Sequence, residues 1–322
     1  MNILVYLEKS DVRGGIEIFA ERHVEELKAA GHEVELVAAI PSARLPAFNS
    51  YDDIIVHKCS DVGTLEKFPP DKTTYYVHDH EPICPRGYAY TPLKHNCTRP
   101  GGMWPCIFCA PACKSWKTAL GRVLSQGRRK RAMARFRKIV VISEFMKSRL
   151  VANGIPAERI AVEPPVIRTG GTGATGATSA ARHQIDLLFV GQLVRGKGVQ
   201  LLLKAMARMK SPRTLDIVGT GNMEAELKAL ASQLQIAERV RFHGFQSDPR
   251  SWMLAASCVV VPSFWQEPYG LVAAEAVALG RPVVAFAIGG LPEACRGKAT
   301  LVPPGDIDAL AKAIEAAKPR ST

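Results

Sequence analysis

The chain lacks the features that mark several protein classes. No stretch approaches the roughly 18 uncharged apolar residues of a membrane span. The apolar run at the start, MNILVYLEKS, stops at Glu8 with no basic residue before it. That is the pattern of a first strand, not of a signal peptide. Aromatic residues make up only 7%, but hydrophobic residues reach 47%, too many for disorder. Eight Cys in 322 residues are too few for a disulfide-stapled scaffold. The expected location is the cytoplasm, where cysteines serve as thiols or metal ligands more often than as disulfides. The length suggests two globular domains with full-sized cores.

One segment has no acid at all. Residues 114–138 hold ten basic side chains: Lys114, Lys117, Arg122, Arg128, Arg129, Lys130, Arg131, Arg135, Arg137 and Lys138. The formal charge of the whole chain is +12, so removing these ten leaves +2. The excess is a property of this segment, and it calls for an anionic partner.

The hydrophobic period switches repeatedly between strand-like and helix-like, which predicts α/β architecture with parallel sheets. Six strands are predicted in the first half: Asn2–Leu7, Glu33–Ala38, Asp53–His57, Thr73–His78, Lys138–Ser143 and Ile160–Glu163. A second series follows at Asp186–Val190, Leu215–Val218, Val240–Phe242, Cys258–Pro262, Pro282–Phe286 and Thr300–Val302. A helix near Ile16–Ala30 ends at Gly31, a C-cap glycine. Between the two series Arg168–Ala181 reads RTGGTGATGATSAA, too poor in apolar residues to bury a core. The boundaries are therefore set at 1–168 for the first domain, 169–183 for a linker and 184–322 for the second domain. Doubly wound domains bind ligands at the carboxyl ends of their strands, here expected in a cleft between the two.

The stretch Val260 to Gly280, VVPSFWQEPYGLVAAEAVALG, is the most informative. A buried strand leads to a loop carrying Glu267, and Gly270 opens a helix containing Glu275. The free N–H groups of a helix start suit a phosphate, and Gly270 allows close approach. Carboxylates suit sugar and ribose hydroxyls because each accepts several hydrogen bonds. Alone, either glutamate is more often a solvated surface residue.

The order of motifs changes that weighting. Gly14-Gly15 with Glu17 follows the first strand, and VGQLVRGKG with Lys197 opens the second domain. Gly219-Thr220-Gly221, Phe242-His243-Gly244-Phe245, Glu267-x7-Glu275 and Gly289-Gly290-Leu291-Pro292-Glu293 complete the series. Together they make the chain resemble the family-4 glycosyltransferases, from Asn2 to Lys318. The resemblance implies the GT-B fold: two Rossmann-like domains facing each other across a cleft. It also implies retaining, metal-independent transfer of a sugar from a nucleotide diphosphate donor, with a UDP-sugar favoured.

Carried over by position, the resemblance makes Lys197 the partner of the donor diphosphate. The amides of Gly270, Leu271 and Val272 would hold the phosphates, Glu275 the ribose hydroxyls and Glu267 the transferred sugar. Gly191, Gly219 and Phe245 would border the nucleotide. Gly14 and Gly15 would admit the first domain's backbone to the reacting centre, and His78 would contact the donor sugar. Such a site works by positioning and by stabilising charge on the departing diphosphate. Two departures stand out. Gln192 occupies a place where the family often has Arg, with Arg195 the substitute, and the chain ends soon after the Ile307–Ala317 helix instead of continuing through further helices.

Five cysteines fall in the loop 80–113: Cys84, Cys97, Cys106, Cys109 and Cys113. Cys106-x2-Cys109 has zinc-ligand spacing but lacks a second matching pair. A structural zinc on Cys84, Cys97, Cys106 and Cys109 stands beside buried thiols or a local disulfide as alternatives. In the basic segment Trp116, Leu120, Val123 and Leu124 lie at helical spacing, and Gly127 is expected to divide the segment into two helices. A solvated helix face is the commoner outcome. The functional one is a peripheral contact with an anionic membrane, at about 1 kcal/mol per basic residue, suited to a glycan or lipid-linked acceptor in envelope or exopolysaccharide synthesis.

Other readings are weaker. A nucleic-acid-binding protein could use the basic segment, but no reader motif is present and no nucleic acid is expected as partner. In a dinucleotide fingerprint Glu224 would stand where the third glycine belongs. Asp306-Ile307-Asp308 matches an Asp-x-Asp metal motif in letters only and reads as a helix cap. A GT-B nucleotide-sugar epimerase is the nearest enzymatic alternative.

Overall fold

The computed structural model describes residues 1–8, 15–39, 45–87, 89–91, 96–101, 106–107, 109, 116–167 and 185–317. The chain forms two compact units, Met1–Pro164 and Pro165–Thr322. The stretch read as a linker lies outside the described residues.

All twelve strands expected from the sequence are present, with ends shifted by a residue or two. In the first unit they are β1 (Asn2–Glu8), β2 (Glu33–Ala39), β3 (Asp53–Lys58), β4 (Thr73–Val77), β5 (Lys138–Val141) and β6 (Ile160–Val162). They form one parallel sheet in the order β2-β1-β3-β4-β5-β6. The second unit holds β7 (Ile185–Val190), β8 (Leu215–Val218), β9 (Val240–Phe242), β10 (Ala256–Val261), β11 (Val283–Phe286) and β12 (Thr300–Val302). These are also all parallel, ordered β12-β11-β10-β7-β8-β9. Read from its β9 edge, the second sheet has the order 3-2-1-4-5-6 of a dinucleotide-binding Rossmann fold, with its switch point between β7 and β10. The first sheet reverses between β1 and β3.

Helices on both faces explain why the strands read as unbroken apolar runs and not as alternating ones. All six residues of β10, Ala-Ser-Cys-Val-Val-Val, are buried. The second core joins Leu187, Phe189, Val259 and Phe286 to Leu202 and Met206 of the Val199–Arg208 helix and Leu310 and Ile314 of the Ile307–Ala316 helix. Asp306 caps that last helix, its carboxylate accepting from the Ala309 amide at 2.9 Å. This is the cap expected for the Asp-x-Asp look-alike.

The basic segment corrects one expectation. Gly127 does not divide it: Trp116–Arg135 is one 20-residue helix. A mid-helix glycine costs only about 1 kcal/mol. Burial of Ala132, Met133 and Phe136 in the first core, with Val123 also buried, outweighs that cost.

Candidate active site

In the second unit the loops after β7, β8, β9, β10 and β11 meet through glycines. Gly198 (φ 77°) turns where a Cβ would lie 1.8 Å from the Pro262 carbonyl oxygen, at the end of β10. Gly219 (φ 136°) would put a Cβ 1.9 Å from the Gly191 oxygen, and its amide donates to the Gly244 carbonyl at 2.7 Å. Gly289 would meet the Glu267 oxygen at 2.3 Å, and the Gly290 amide donates to that same oxygen at 2.7 Å. The glycine-rich motifs are thus spacers that let five loops touch backbone to backbone.

This frame brings Lys197 and Glu267 together across the switch point. Lys197 Nζ donates to Glu267 Oε1 at 2.6 Å, and Trp265 Nε1 donates to the same oxygen at 3.1 Å. The Lys197 ammonium also lies 5.8 Å from the Trp265 ring centroid, a cation–π distance. Glu267 is buried at 7% exposure. Burial pushes its carboxyl pKa up, but the charge and hydrogen bond of Lys197, with the bond from Trp265, outweigh burial and hold it below the ordinary value. The pair is ionised and mutually neutralised.

Gly270 (φ 108°) precedes the helix Leu271–Ala278, as expected. Its φ already favours glycine, and a Cβ there would also crowd Leu291 Cδ2 at 2.4 Å, a demand of the fold that stands beside the phosphate role expected from the sequence. Leu271, Val272 and Glu275 lie along that helix, none fully exposed. Arg195 is more than half exposed and faces Glu226 at 3.8 Å, leaving Lys197 the better-held cation. Phe245, after β9, is 76% exposed. Sequence reasoning placed His243 in a motif but missed its contact: its Nε2 lies 2.6 Å from Oδ1 of the buried Asp216.

In the first unit Gly14 lies outside the described residues, and Gly15 is the exposed first residue of the helix Gly15–Ala29. His78 follows β4 and is not isolated. Its Nε2 lies 3.0 Å from His57 Nδ1, and His57 Nε2 lies 3.1 Å from His23 Nδ1. Burial lowers the pKa of all three, His78 to about 4 and His57 well below 6.5, with neighbouring histidines adding to the shift at both. Asp79 moves the other way, to about 6, because burial and then the Glu81 charge disfavour its anion. His57, Lys58, His78, Asp79 and Glu81 share the lining of one pocket. No spacing rule links His23, His57 and His78. His57 lies on β3 and His78 just after β4, whereas His23 comes from the helix Gly15–Ala29.

Cys84, Cys97, Cys106 and Cys109 form no disulfide with one another, and Cys113 lies outside the described residues. Among the described residues no three His, Cys, Asp or Glu form a group able to hold a metal. Apart from Lys114, which is not described, and the exposed Arg122, which donates to the Pro85 carbonyl at 3.5 Å, the basic segment divides in two. Arg129 is buried and donates to the carbonyls of Cys59 and Ser60, beside Glu8 at the first sheet's switch point. Lys130 bonds Asn153 at 3.0 Å and the Gly101 carbonyl; Arg137 pairs with Asp53 at 2.8 Å and Lys138 with Glu163 at 2.5 Å. Lys117, Leu124, Arg128, Arg131 and Arg135 form an exposed helical stripe, with Arg128 also paired to Glu66. No described helix is long and apolar enough to cross a membrane.

Two Rossmann-like parallel-sheet units, the second with a nucleotide-type strand order, define the fold class: that of the GT-B glycosyltransferases. Solved glycosyltransferases share it over nearly the whole chain. HepE of Anabaena, crystallised with UDP-glucose, superposes with a TM-score of 0.66 at 20% identity, covering 98% of this chain and 89% of that one. A glycosyltransferase of Rickettsia africae gives 0.69 at 16% identity, covering 98% and 87%.

Residues 177–318 match the family Glycosyl transferases group 1, so the second half of the chain carries a group 1 glycosyltransferase domain. Over 111 residues the chain is 40% identical to glycosyltransferase MJ1607 of Methanocaldococcus jannaschii, covering 33% of this chain and 28% of that one. Over 156 residues it is 37% identical to D-inositol 3-phosphate glycosyltransferase of Pseudarthrobacter chlorophenolicus, covering 44% and 37%. The matched stretches thus span less than two fifths of these relatives' length.

Proposed function

We propose that the chain is a retaining glycosyltransferase of family 4 that moves a hexose from a UDP-sugar to a glycan or lipid-linked acceptor in envelope or exopolysaccharide synthesis. The observation that carries this reading is the Lys197–Glu267 pair at the β7/β10 switch point, beside the helix start at Gly270. A nucleotide sugar needs a cation for its diphosphate and an acceptor of hydroxyl hydrogen bonds for its sugar, only a bond or two apart. A lysine 2.6 Å from a buried carboxylate offers both at that spacing. The group 1 domain match and the UDP-glucose complex of HepE support the donor class.

In this reading Lys197 holds the diphosphate with the amides of Gly270, Leu271 and Val272, Glu275 the ribose, and Glu267 the sugar. Gly191, Gly219 and Phe245 border the nucleotide. Gly14, Gly15 and His78 serve the sugar from the first unit. The bond between the anomeric carbon and the phosphate oxygen breaks as the acceptor oxygen bonds that carbon on the same face. The departing diphosphate takes the acceptor proton, and no metal ion is required. The exposed stripe Lys117, Leu124, Arg128, Arg131 and Arg135 holds the enzyme against the anionic cytoplasmic face of the membrane, near its acceptor.

The test is a thermal-shift panel of UDP-, GDP- and ADP-sugars, since a ligand that binds the native state must raise its stability. A UDP-sugar should give the largest shift, and Glu275→Ala should abolish it. No stabilisation by any nucleotide sugar would overturn the reading. Donor turnover only in the presence of acceptor separates a transferase from an epimerase.

A further inference from the structure

His23, His57 and His78 form an unbranched wire. Each contact joins Nδ1 of one ring to Nε2 of the next, at 3.1 and 3.0 Å. A neutral imidazole has one N–H donor and one acceptor nitrogen. If His57 accepts at Nε2 from His23, it must carry its proton on Nδ1 and donate to Nε2 of His78, which then carries its own proton on Nδ1. If His78 donates from Nε2 instead, both bonds reverse and all three rings carry the Nε2 proton. Only these two arrangements leave both contacts as hydrogen bonds.

The surroundings keep the wire neutral and rigid. His57 is 1% exposed, with rings of Phe19 and Tyr76 against it at centroid distances of 5.6 and 4.8 Å. His23 is the more accessible end. The charged and titratable groups around the wire are Glu17 and Glu26 from the Gly15–Ala29 helix, Tyr76 from β4 and Glu163 after β6. Lys58, Asp79 and Glu81 surround its inner end. Glu163 is itself tied to Lys138 and bonded by Tyr76. Each charged ring disfavours a charge on its neighbours, so the wire takes its first proton at one ring only.

We propose that His23 and His57 are positioning residues that set which nitrogen of His78 carries the proton, and that a proton taken up at His23 forces His78 to present Nδ1–H. A charged His23 donates from Nδ1, so His57 must accept at Nε2 and pass the same polarity inward. His78 is thereby given a fixed role, as donor or as acceptor, towards a hydroxyl at its remaining nitrogen. The link to a donor sugar rests on the function proposed above, whereas the tautomer coupling does not.

The test is long-range proton–nitrogen NMR of the full chain labelled with ¹⁵N-histidine, with resonances assigned through single His variants. In the neutral protein all three rings should show the same tautomer, either Nδ1–H or Nε2–H throughout. With His23 charged, His57 and His78 should both show Nδ1–H. A neutral mixed set, or Nε2–H on His78 beside a charged His23, would overturn the coupling. The wild-type spectra decide this even if a His57 variant does not fold. For the role at the sugar, His57→Leu should lose the extra thermal shift that UDP-glucose gives over UDP while keeping the UDP shift, and His57→Gln should restore it. Equal loss of both shifts would reduce His57 to a packing residue. Absence of any UDP or UDP-glucose shift in the wild type would sink the proposed function and leave the coupling standing.

Discussion

Replacing Lys197 by Met tests the centre of the proposed site through stability, before any substrate is added. At 2.6 Å the pair's gross attraction is about 6 kcal/mol at an effective dielectric near 20. Desolvation offsets much of that, and what decides the outcome is which partner is left behind. Lys197→Met strands a carboxylate whose side chain is 10% exposed, with the Trp265 N–H still bonded to it. Breaking a buried pair in this direction costs about 3–5 kcal/mol, and the surviving Trp265 bond places the expected loss near 3. Glu267→Gln leaves Lys197, whose side chain is 27% exposed and can turn to water, and keeps an amide oxygen as acceptor. Its expected cost is about 1 kcal/mol.

The double variant should therefore recover most of the Lys197→Met loss, because a neutral amide at position 267 no longer needs a cation. The acid dependence has a definite sign. In the wild type the Glu267 pKa lies below its ordinary value, so the pair's contribution is present above the unfolded carboxyl pKa and fades as pH falls through the folded one. In Lys197→Met only the bonds from Ser263 and Trp265 still oppose burial, so that pKa rises from its wild-type value and the variant regains ground on the wild type as pH falls. Two units make a single global midpoint ill-defined, so the assay is urea-dependent hydrogen exchange in peptides from 185–317. A loss below about 0.5 kcal/mol for Lys197→Met, or additive single variants, would refute the argument, since contacting residues ordinarily couple by more than that.

Further outcomes follow from the same structure. Gly198→Ala should destabilise the second unit by more than about 1 kcal/mol in the same exchange assay, because a Cβ would sit 1.8 Å from the Pro262 oxygen at φ 77°. In the first unit His78 has a folded pKa near 4, and His23 and His57 are also lowered. Their contribution is full above about 6.5 and is lost as pH falls towards 4. Asp79, raised to about 6, opposes this over part of that window by favouring the folded state at lower pH. Three histidines against one aspartate make a net loss on acidification, measurable by exchange in peptides from 45–80, and an unchanged first unit between pH 7 and 4.5 would contradict it. Sugar transfer should survive EDTA; abolition restored by a divalent cation would rule out the metal-independent scheme. Anionic vesicles should retain the protein more than neutral ones, and Arg131→Glu with Arg135→Glu should release it; equal retention on both vesicle types would remove the membrane contact.

The strands were legible because a parallel sheet covered on both faces leaves runs such as Val259-Val260-Val261 with no polar interruption. Caps were legible too, since Asp306 and Gly31 act through their own chemistry. Contacts between distant residues were not. His23, His57 and His78 are separated by 34 and 21 positions, and only the β1-β3-β4 neighbourhood with the helix laid over it joins them. Lys197 and Glu267 are 70 positions apart and carry separate tasks in the sequence reading, whereas in the structure each is the other's partner. Gly127 misled because local propensity was weighed without the tertiary burial that overrides it. Net charge misled in a related way. Arg129 is counted among the charges open to a partner, but it is buried and satisfied by backbone carbonyls.

The glycine contacts bear on how such a site acquires specificity. Gly198, Gly219, Gly221, Gly289 and Gly290 each hold a neighbouring backbone where a Cβ would lie 2.4 Å or less away. The main chain around the Lys197–Glu267 pair therefore has little room to adapt to different ligands. A rigid frame of this kind favours the elements common to all nucleotide diphosphate sugars, a diphosphate and hydroxyls. Discrimination between bases and sugars must then fall to side chains outside the clamp. In the proposed function that role falls to Phe245, 76% exposed, and to the exposed Gln192 and Arg195, all in the second unit. Substitutions there should redirect donor preference at little cost in stability, whereas substitutions at the clamped glycines should cost stability whatever the donor.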